Sequence, residues 1–221
     1  MRILAIDTAL EACAAGVLDH ASDRILAQES AAMARGHAEA LMPLVARVMG
    51  KAGLSFSGLD RIAVTVGPGS FTGLRVGIAA ARGIALASGK PAVGVSTLAA
   101  LAAPHLGESS TVLAAIDARH GQVYLQVFGP GGRTLVAPKV LPAGDAVRAA
   151  NGASVIVGSA AGMLEWPRGV PPPRREAQAA PDIAWVARLG AAADAAHALP
   201  KPLYLRRPDA RPQDAARLPR R

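Results

Sequence analysis

"LAID", Leu4–Asp7, and "AAID", Ala114–Asp117, stand 110 residues apart, half the length of a 221-residue chain. Each is a compact apolar run that ends in aspartate, and each is followed by a second short run, Ala12–Leu18 or Gln122–Phe128. Apolar runs of this length bounded by turn residues read as buried strands. Four letters are a weak repeat, so the order of elements around them carries the argument. Residues 2–7, 12–19 and 24–31 read as three strands, the last two joined by a His-Ala-Ser-Asp turn. Leu41, Leu44, Val45 and Val48 recur at i, i+3, i+4 and i+7 and predict an amphipathic helix over His37–Met49, with Pro43 bending it or lying near its start. A strand at Arg61–Val66, a helix at Ser70–Ser88, a strand at Pro91–Val95 and a helix at Thr97–Ala103 follow. The second half repeats the theme: a third strand at Thr134–Val140, a helix at Ala143–Ala149, a strand at Ala153–Val157 and a helix at Asp182–His197. A Pro- and Arg-rich loop, Trp166–Glu176, interrupts it. The pattern predicts one α/β unit used twice, with a lobe over 1–108, a shorter lobe over 109–205 and a tail over 206–221.

Composition bounds what such a chain can be. Hydrophobic residues make up 51% of it, enough for a substantial core, but aromatics only 3%, so the core must be built from close-approaching Ala, Val, Leu and Ile. The single cysteine, Cys13, excludes an intrachain disulfide and fits a reducing compartment, with the cytoplasm as the expected location. The longest uncharged stretch, Pro91–Gly107, contains two prolines and a histidine and falls short of the roughly 20 apolar residues of a membrane span, so no membrane association is expected. Net charge is +8, yet residues 200–221 hold seven Lys or Arg against two Asp, +5 of that total. A tail of this composition is expected to be disordered and solubilising, and its charge permits a weak contact with RNA phosphates.

Paired units of this kind, two lobes each with a mixed central sheet flanked by helices, resemble the duplicated actin-like, ribonuclease-H-like (ASKHA-type) folds of the actin, sugar-kinase and heat-shock ATPase group. In that group the aspartates that end each first strand meet across a nucleotide. Asp7, Thr8 and Asp117 are the residues of a possible vestigial nucleotide cleft here, and the alternative is that each aspartate only caps the turn after its strand.

The most specific local text is "VGPGSFTGLRVG", Val66–Gly77, whose glycines at 67, 69 and 73 lead from strand to helix as an anion-binding loop does. It lacks the Lys of a Walker loop, and Thr72 stands where a dinucleotide loop needs its third glycine. Asp7-Thr8-Ala9-Leu10 also lacks the glycine of an actin-like phosphate turn. The five histidines are scattered without the spacing of a metal site, and His37 at a helix start reads as solvated or capping. Ser70 has no base in its sequence context and reads as a helix N-cap. In the helix, Gly73, Gly77 and Ala81 form a small-residue ridge beside Leu74, Ile78 and the stem of Arg82, and apolar residues run nearly all the way round, so a second buried face against a partner is expected.

The blocks MRILAIDTALEACAAGVL, HAEALMPLV, GPGSFTGLRVGIAAARGIAL, GVSTLAAL, LAAIDARHGQVYLQVF and PLYLR resemble, in order, the bacterial TsaB (YeaZ) family over residues 1–206. The resemblance implies a non-catalytic subunit that works with TsaD and TsaE in transferring a threonylcarbamoyl group to N6 of the adenosine beside the anticodon of tRNAs reading ANN codons. It implies no cofactor of its own, with ATP and a metal ion on the partner subunits, and contact with tRNA only through the complex. Thr97 and Leu101 stand where the TsaD paralogue carries its metal-binding histidines. It further implies pairing with TsaD, or with a second copy, through N-terminal helices, and the candidates are Leu41, Val45, Leu74, Ile78, Ala81 and Arg82. Alternatives left open by the residues are an ATP-binding actin-like ATPase or kinase and a glycoprotease-like metalloprotease.

Overall fold

A computed structural model describes residues 1–150 and 152–206, so the predicted tail, apart from Arg206, lies outside the described residues. The first sheet holds β1 (Arg2–Asp7), β2 (Ala12–Asp19), β3 (Arg24–Ala32), β4 (Arg61–Gly67) and β5 (Ala92–Ser96), in the order β3-β2-β1-β4-β5. The first three strands are antiparallel, and β4 and β5 continue parallel to β1. The second sheet holds β6 (Val112–Asp117), β7 (Gln122–Phe128), β8 (Thr134–Pro142), β9 (Val155–Val157) and β10 (Arg174–Glu176). Its order is β8-β7-β6-β9-β10 with the same alternation of antiparallel and parallel pairs. The duplication predicted from two aspartate-ended strands is therefore present strand for strand. β10 is the strand the sequence conceals: three residues, two of them arginine, on a sheet edge within the segment expected to be a loop.

The helices are α1 (His37–Ala52), α2 (Phe71–Ser88), α3 (Thr97–Ala102), α4 (Ala143–Ala149) and α5 (Ile183–Ala192). α1 runs past the predicted Met49 and stops at Gly53, whose left-handed conformation (φ 66°) lets its N–H reach back to Gly50 O and Met49 O. α5 stops earlier than predicted, because Asp194 turns the chain by accepting the Ala196 N–H at 2.9 Å. α1 and α2 cover one face of the first sheet. The other face is covered by α5, from the far end of the chain. α3, from the first half, packs instead on the second sheet, where Leu98, Leu101 and Ala102 meet Val112, Ala114 and Ile116. Each half thus lends a helix to the other.

Two residues make the exchange fit. Gly190 lets α5 lie against β4, where a Cβ would collide with that of Ala63. The Arg61 guanidinium donates to Gly190 O, Ala191 O and Ala193 O at 2.7–3.0 Å, placing a cation on the carbonyls that end α5. No described helix is long and apolar enough to cross a membrane.

Candidate functional site

The β4–α2 loop is filled by the chain itself. Ser70 caps α2, its hydroxyl accepting from Gly73 N at 3.3 Å. The Ser70 N–H, which an anion would need, donates to Ala9 O at 2.7 Å. The Thr8 hydroxyl donates to Gly73 O at 2.7 Å. A Cβ at Gly69 would meet Ala9 O, one at Gly73 would meet Thr8 O, and one at Gly77 would meet the Thr8 hydroxyl. These glycines admit the β1–β2 turn to the start of α2. The expected ridge of small residues toward a partner is corrected accordingly: Gly73 and Gly77 face inward, and Ala81 is buried with them.

The proposed contact residues are likewise placed in the chain's own core. Leu41, Val45, Leu74, Ile78 and Ala81 are each no more than 4% exposed and belong to the cluster under α1 and α2. Of the six candidates only Arg82 is exposed, and its guanidinium donates to Pro200 O at 2.6 Å. The outward faces carry other residues: Ala38, Met42, Pro43 and Ala46 beside Glu39, Arg47 and Lys51 on α1, and Ala79, Gly83, Leu86 and Ala87 beside Arg75 and Arg82 on α2. Met42 is 46% exposed and Leu86 86%. The buried residues Leu74, Ile78, Ala81 and Ala85 lie on one i, i+4, i+7, i+11 stripe, and Leu86 falls off it, which is the signal that could have separated the two faces.

Between the lobes lies a cleft of about 760 Å³. Asp7 and Asp117 each accept the N–H two residues on, Ala9 N at 3.0 Å and Arg119 N at 2.7 Å, so both are turn caps. Only Asp117 lines the cleft. Asp7 is fully buried, held by the Thr65 hydroxyl at 2.5 Å with its other oxygen unpartnered, and burial pushes its carboxyl above the usual range. Thr8 is 1% exposed, so neither residue can touch a ligand in the cleft, and that expectation is corrected. His37 is not solvated: it is buried, with Nε2 3.1 Å from Leu10 O, and it holds the β1–β2 turn. Burial, with the Asp7 charge adding to it, pushes the neighbouring Cys13 thiol up to about 11, away from reactive thiolate. An ion pair crosses the cleft from Glu11 to Arg119 at 3.3 Å. Arg119, His120 and Gly121 all have positive φ (66°, 53° and 69°), a tight turn that faces the β1–β2 turn of the other lobe. Thr97 and Leu101 are buried on α3, and among the described residues no three His, Cys, Asp or Glu side chains group as metal ligands.

Two sheets of identical order, an inter-lobe cleft and aspartate-capped first turns define the duplicated two-lobed fold of the actin and sugar-kinase group. Residues 24–163 match the family model TsaD, tRNA N6-adenosine threonylcarbamoyltransferase. The chain is 32% identical to YeaZ from Pseudomonas aeruginosa, with a TM-score of 0.75 over 92% of this chain and 99% of that one. It is 36% identical to the uncharacterized protein Rv3421c of Mycobacterium tuberculosis, over 95% of this chain and 94% of that protein. To the tRNA threonylcarbamoyladenosine biosynthesis protein TsaB of Escherichia coli it is 42% identical over 126 residues, 56% of this chain and 53% of that protein. The match thus spans about half the length of that relative. The chain belongs to the TsaB (YeaZ) family.

Proposed function

We propose that the chain is the accessory subunit of a tRNA threonylcarbamoyladenosine system, binding a TsaD-type transferase and contributing no catalytic group of its own. The observation that carries this is the set of exposed apolar and small residues on α1 and α2, Met42, Ala46, Ala79, Gly83 and Leu86, lying among the charged Glu39, Arg47, Arg75 and Arg82, with Leu86 86% exposed. Gly83 supports it. Glycine in a helix interior costs about 1 kcal/mol relative to alanine, and a Cβ at Gly83 meets nothing within 4 Å, so nothing within the chain calls for it. A partner helix approaching closely would. TsaD occupies that face in the working complex and a second copy occupies it in the free protein, with TsaE as third member, the cytoplasm as location, and ATP, metal and tRNA engaged through the partners. An actin-like ATPase is the less favoured reading, since Ser70 N and Ala9 N, placed to hold phosphate, already donate within the chain.

Reconstitution tests the proposal: tRNA threonylcarbamoylation by TsaD and its companions should require this chain, and activity undiminished without it would refute the reading. Leu86→Asp should abolish co-purification with TsaD while leaving the thermal midpoint of the free chain nearly unchanged. Ile78→Asp should unfold the chain instead, because it buries a charge in the core.

A further inference from the structure

Residues 198–206 belong to no helix or strand, yet they join the first sheet, α2 and the second lobe. At the edge of β5 the Gly94 N–H donates to Ala198 O at 2.8 Å, and further along the Leu203 N–H donates to Val66 O at 2.7 Å. The surface beneath is cut to fit: a Cβ at Gly94 would meet Leu199 O and the Pro200 Cα, and one at Gly67 would meet Leu203 O. On α2, Arg82 holds Pro200 O, and the Arg75 guanidinium lies 3.6 Å from the Phe71 centroid while donating to the Tyr204 hydroxyl at 3.2 Å. Phe71 and Tyr204 stack at 5.1 Å between centroids. The segment ends on the second lobe, where the Arg206 guanidinium donates to Ala118 O at 2.9 Å and to Gln122 Oε1 at 3.2 Å, on either side of the Arg119–Gly121 turn.

This strap is held at points rather than along its length. Among the described residues only those two backbone hydrogen bonds fasten it to the first sheet, Pro200 and Pro202 have no N–H to donate, and Leu199, Lys201 and Tyr204 are exposed. A segment with few buried contacts and isolated anchors opens locally at a cost well below that of global unfolding. Its anchors on α2 also sit among the residues offered to a partner: Arg75, Ala79, Arg82 and Leu86 fall at i, i+4, i+7 and i+11 on one stripe. A helix seated on Ala79 and Leu86 screens the Arg75 and Arg82 hydrogen bonds from water, which strengthens them. The other ion pair between the lobes, Glu11 with Arg119, is exposed on both sides and holds them weakly.

We propose that residues 198–206 form a latch with a docked and a released state. Release frees β5, α2 and the β6–β7 turn together and leaves both lobes folded, and a partner helix on the α2 stripe favours the docked state. The latch is a property of the free chain, whereas its coupling to docking rests on the proposed binding of a TsaD-type transferase. Such coupling is reciprocal, so loosening the latch at the second lobe weakens docking on α2.

Amide hydrogen exchange of the purified full-length chain, read residue by residue by NMR, tests it. The Gly94 and Leu203 amides should exchange at closely similar rates, at least about 100-fold faster than the amides of β1. Arg206→Ala and Tyr204→Ala, each removing one anchor, should speed both amides about threefold or more, with the β1 amides still the slower set. The Gly53 amide, at the far end of α1, should not respond. Gly94 lies at the opposite end of the strap from Arg206, so its response separates release as a unit from fraying of the last residues. Gly94 and Leu203 exchanging as slowly as β1, or a Gly94 amide indifferent to Arg206→Ala, would overturn the latch. Saturating TsaD should slow both amides about threefold or more, and Arg206→Ala should weaken TsaD binding about threefold or more. Unchanged or faster exchange in the TsaD complex would overturn the coupling while leaving the partner reading intact. Failure of TsaD to bind the wild-type chain would overturn the partner reading and the coupling with it, and the latch would then stand on the rates in the free chain.

Discussion

Asp7 is a carboxylate enclosed on all sides, with one oxygen satisfied by Thr65 and Ala9 and the other by nothing. Its pKa in the folded chain is raised by burial above the ordinary 3.8, so the unfolded chain gives up this proton first as pH rises. Asp7 therefore contributes most to stability below pH 3.8 and loses that contribution as pH climbs through the raised value. Urea midpoints at about pH 4 and pH 8 should fall more for the wild type than for Asp7→Asn, which cannot ionise. The two glycines of opposite character give a second test. Gly190→Ala forces a methyl onto Ala63 and should cost about 1–3 kcal/mol in denaturant unfolding, whereas Gly83→Ala, with open space above it, should stabilise the isolated chain by about 0.5–1 kcal/mol while weakening partner binding. That Asp7 and Asp117 cap their turns was legible in the sequence, because an aspartate at a strand end needs only its own backbone to do so. Their different burial was not, since it depends on the β4–α2 loop closing over one lobe alone.

Helices and strands were legible wherever a short-range rule set them. Ser70 as N-cap of α2, the proline-bearing α1 and the three opening strands all follow from local chemistry. The orientation of α2 did not, because a helix with apolar residues almost all round offers no unique inward face, and the choice was made by Thr8 and Ala9 in a turn some 65 residues earlier. β10 escaped notice because an edge strand of three residues needs no apolar signature. At this scale α1 is fixed to β3 by Arg47 and Lys51, which grip Glu29 at 2.6 and 3.2 Å and hold its carboxyl down at about 2. Met42 on α1 and Ala79 on α2 are exposed, as Leu86 is. A charge at Ala79 or Met42 should therefore disrupt the same complex that Leu86→Asp disrupts, with little change in thermal midpoint, as co-purification set beside thermal unfolding would show.

Over the whole molecule, the duplicated topology was readable from the repeat, but the exchange of helices between the halves was not, because it depends on which sheet face each helix reaches and leaves no periodic mark. Arg61 carries much of that exchange, joining β4 to the carbonyl end of α5, and Arg61→Ala should cost about 1.5–3 kcal/mol in urea unfolding. A fragment of residues 1–108 would lack α5 and leave Ile3, Ala5, Val93 and Val95 bare on one face of the first sheet. Sedimentation of that fragment should show association into species larger than those the full-length chain forms. The same arrangement governs how the protein is made. During synthesis the first sheet is complete once β5 has left the ribosome, yet one of its faces stays uncovered until α5 emerges nearly a hundred residues later. At about 5–20 residues per second that is an interval of roughly 5–20 seconds, during which the growing chain is a natural client for a chaperone that shields apolar sheet surface.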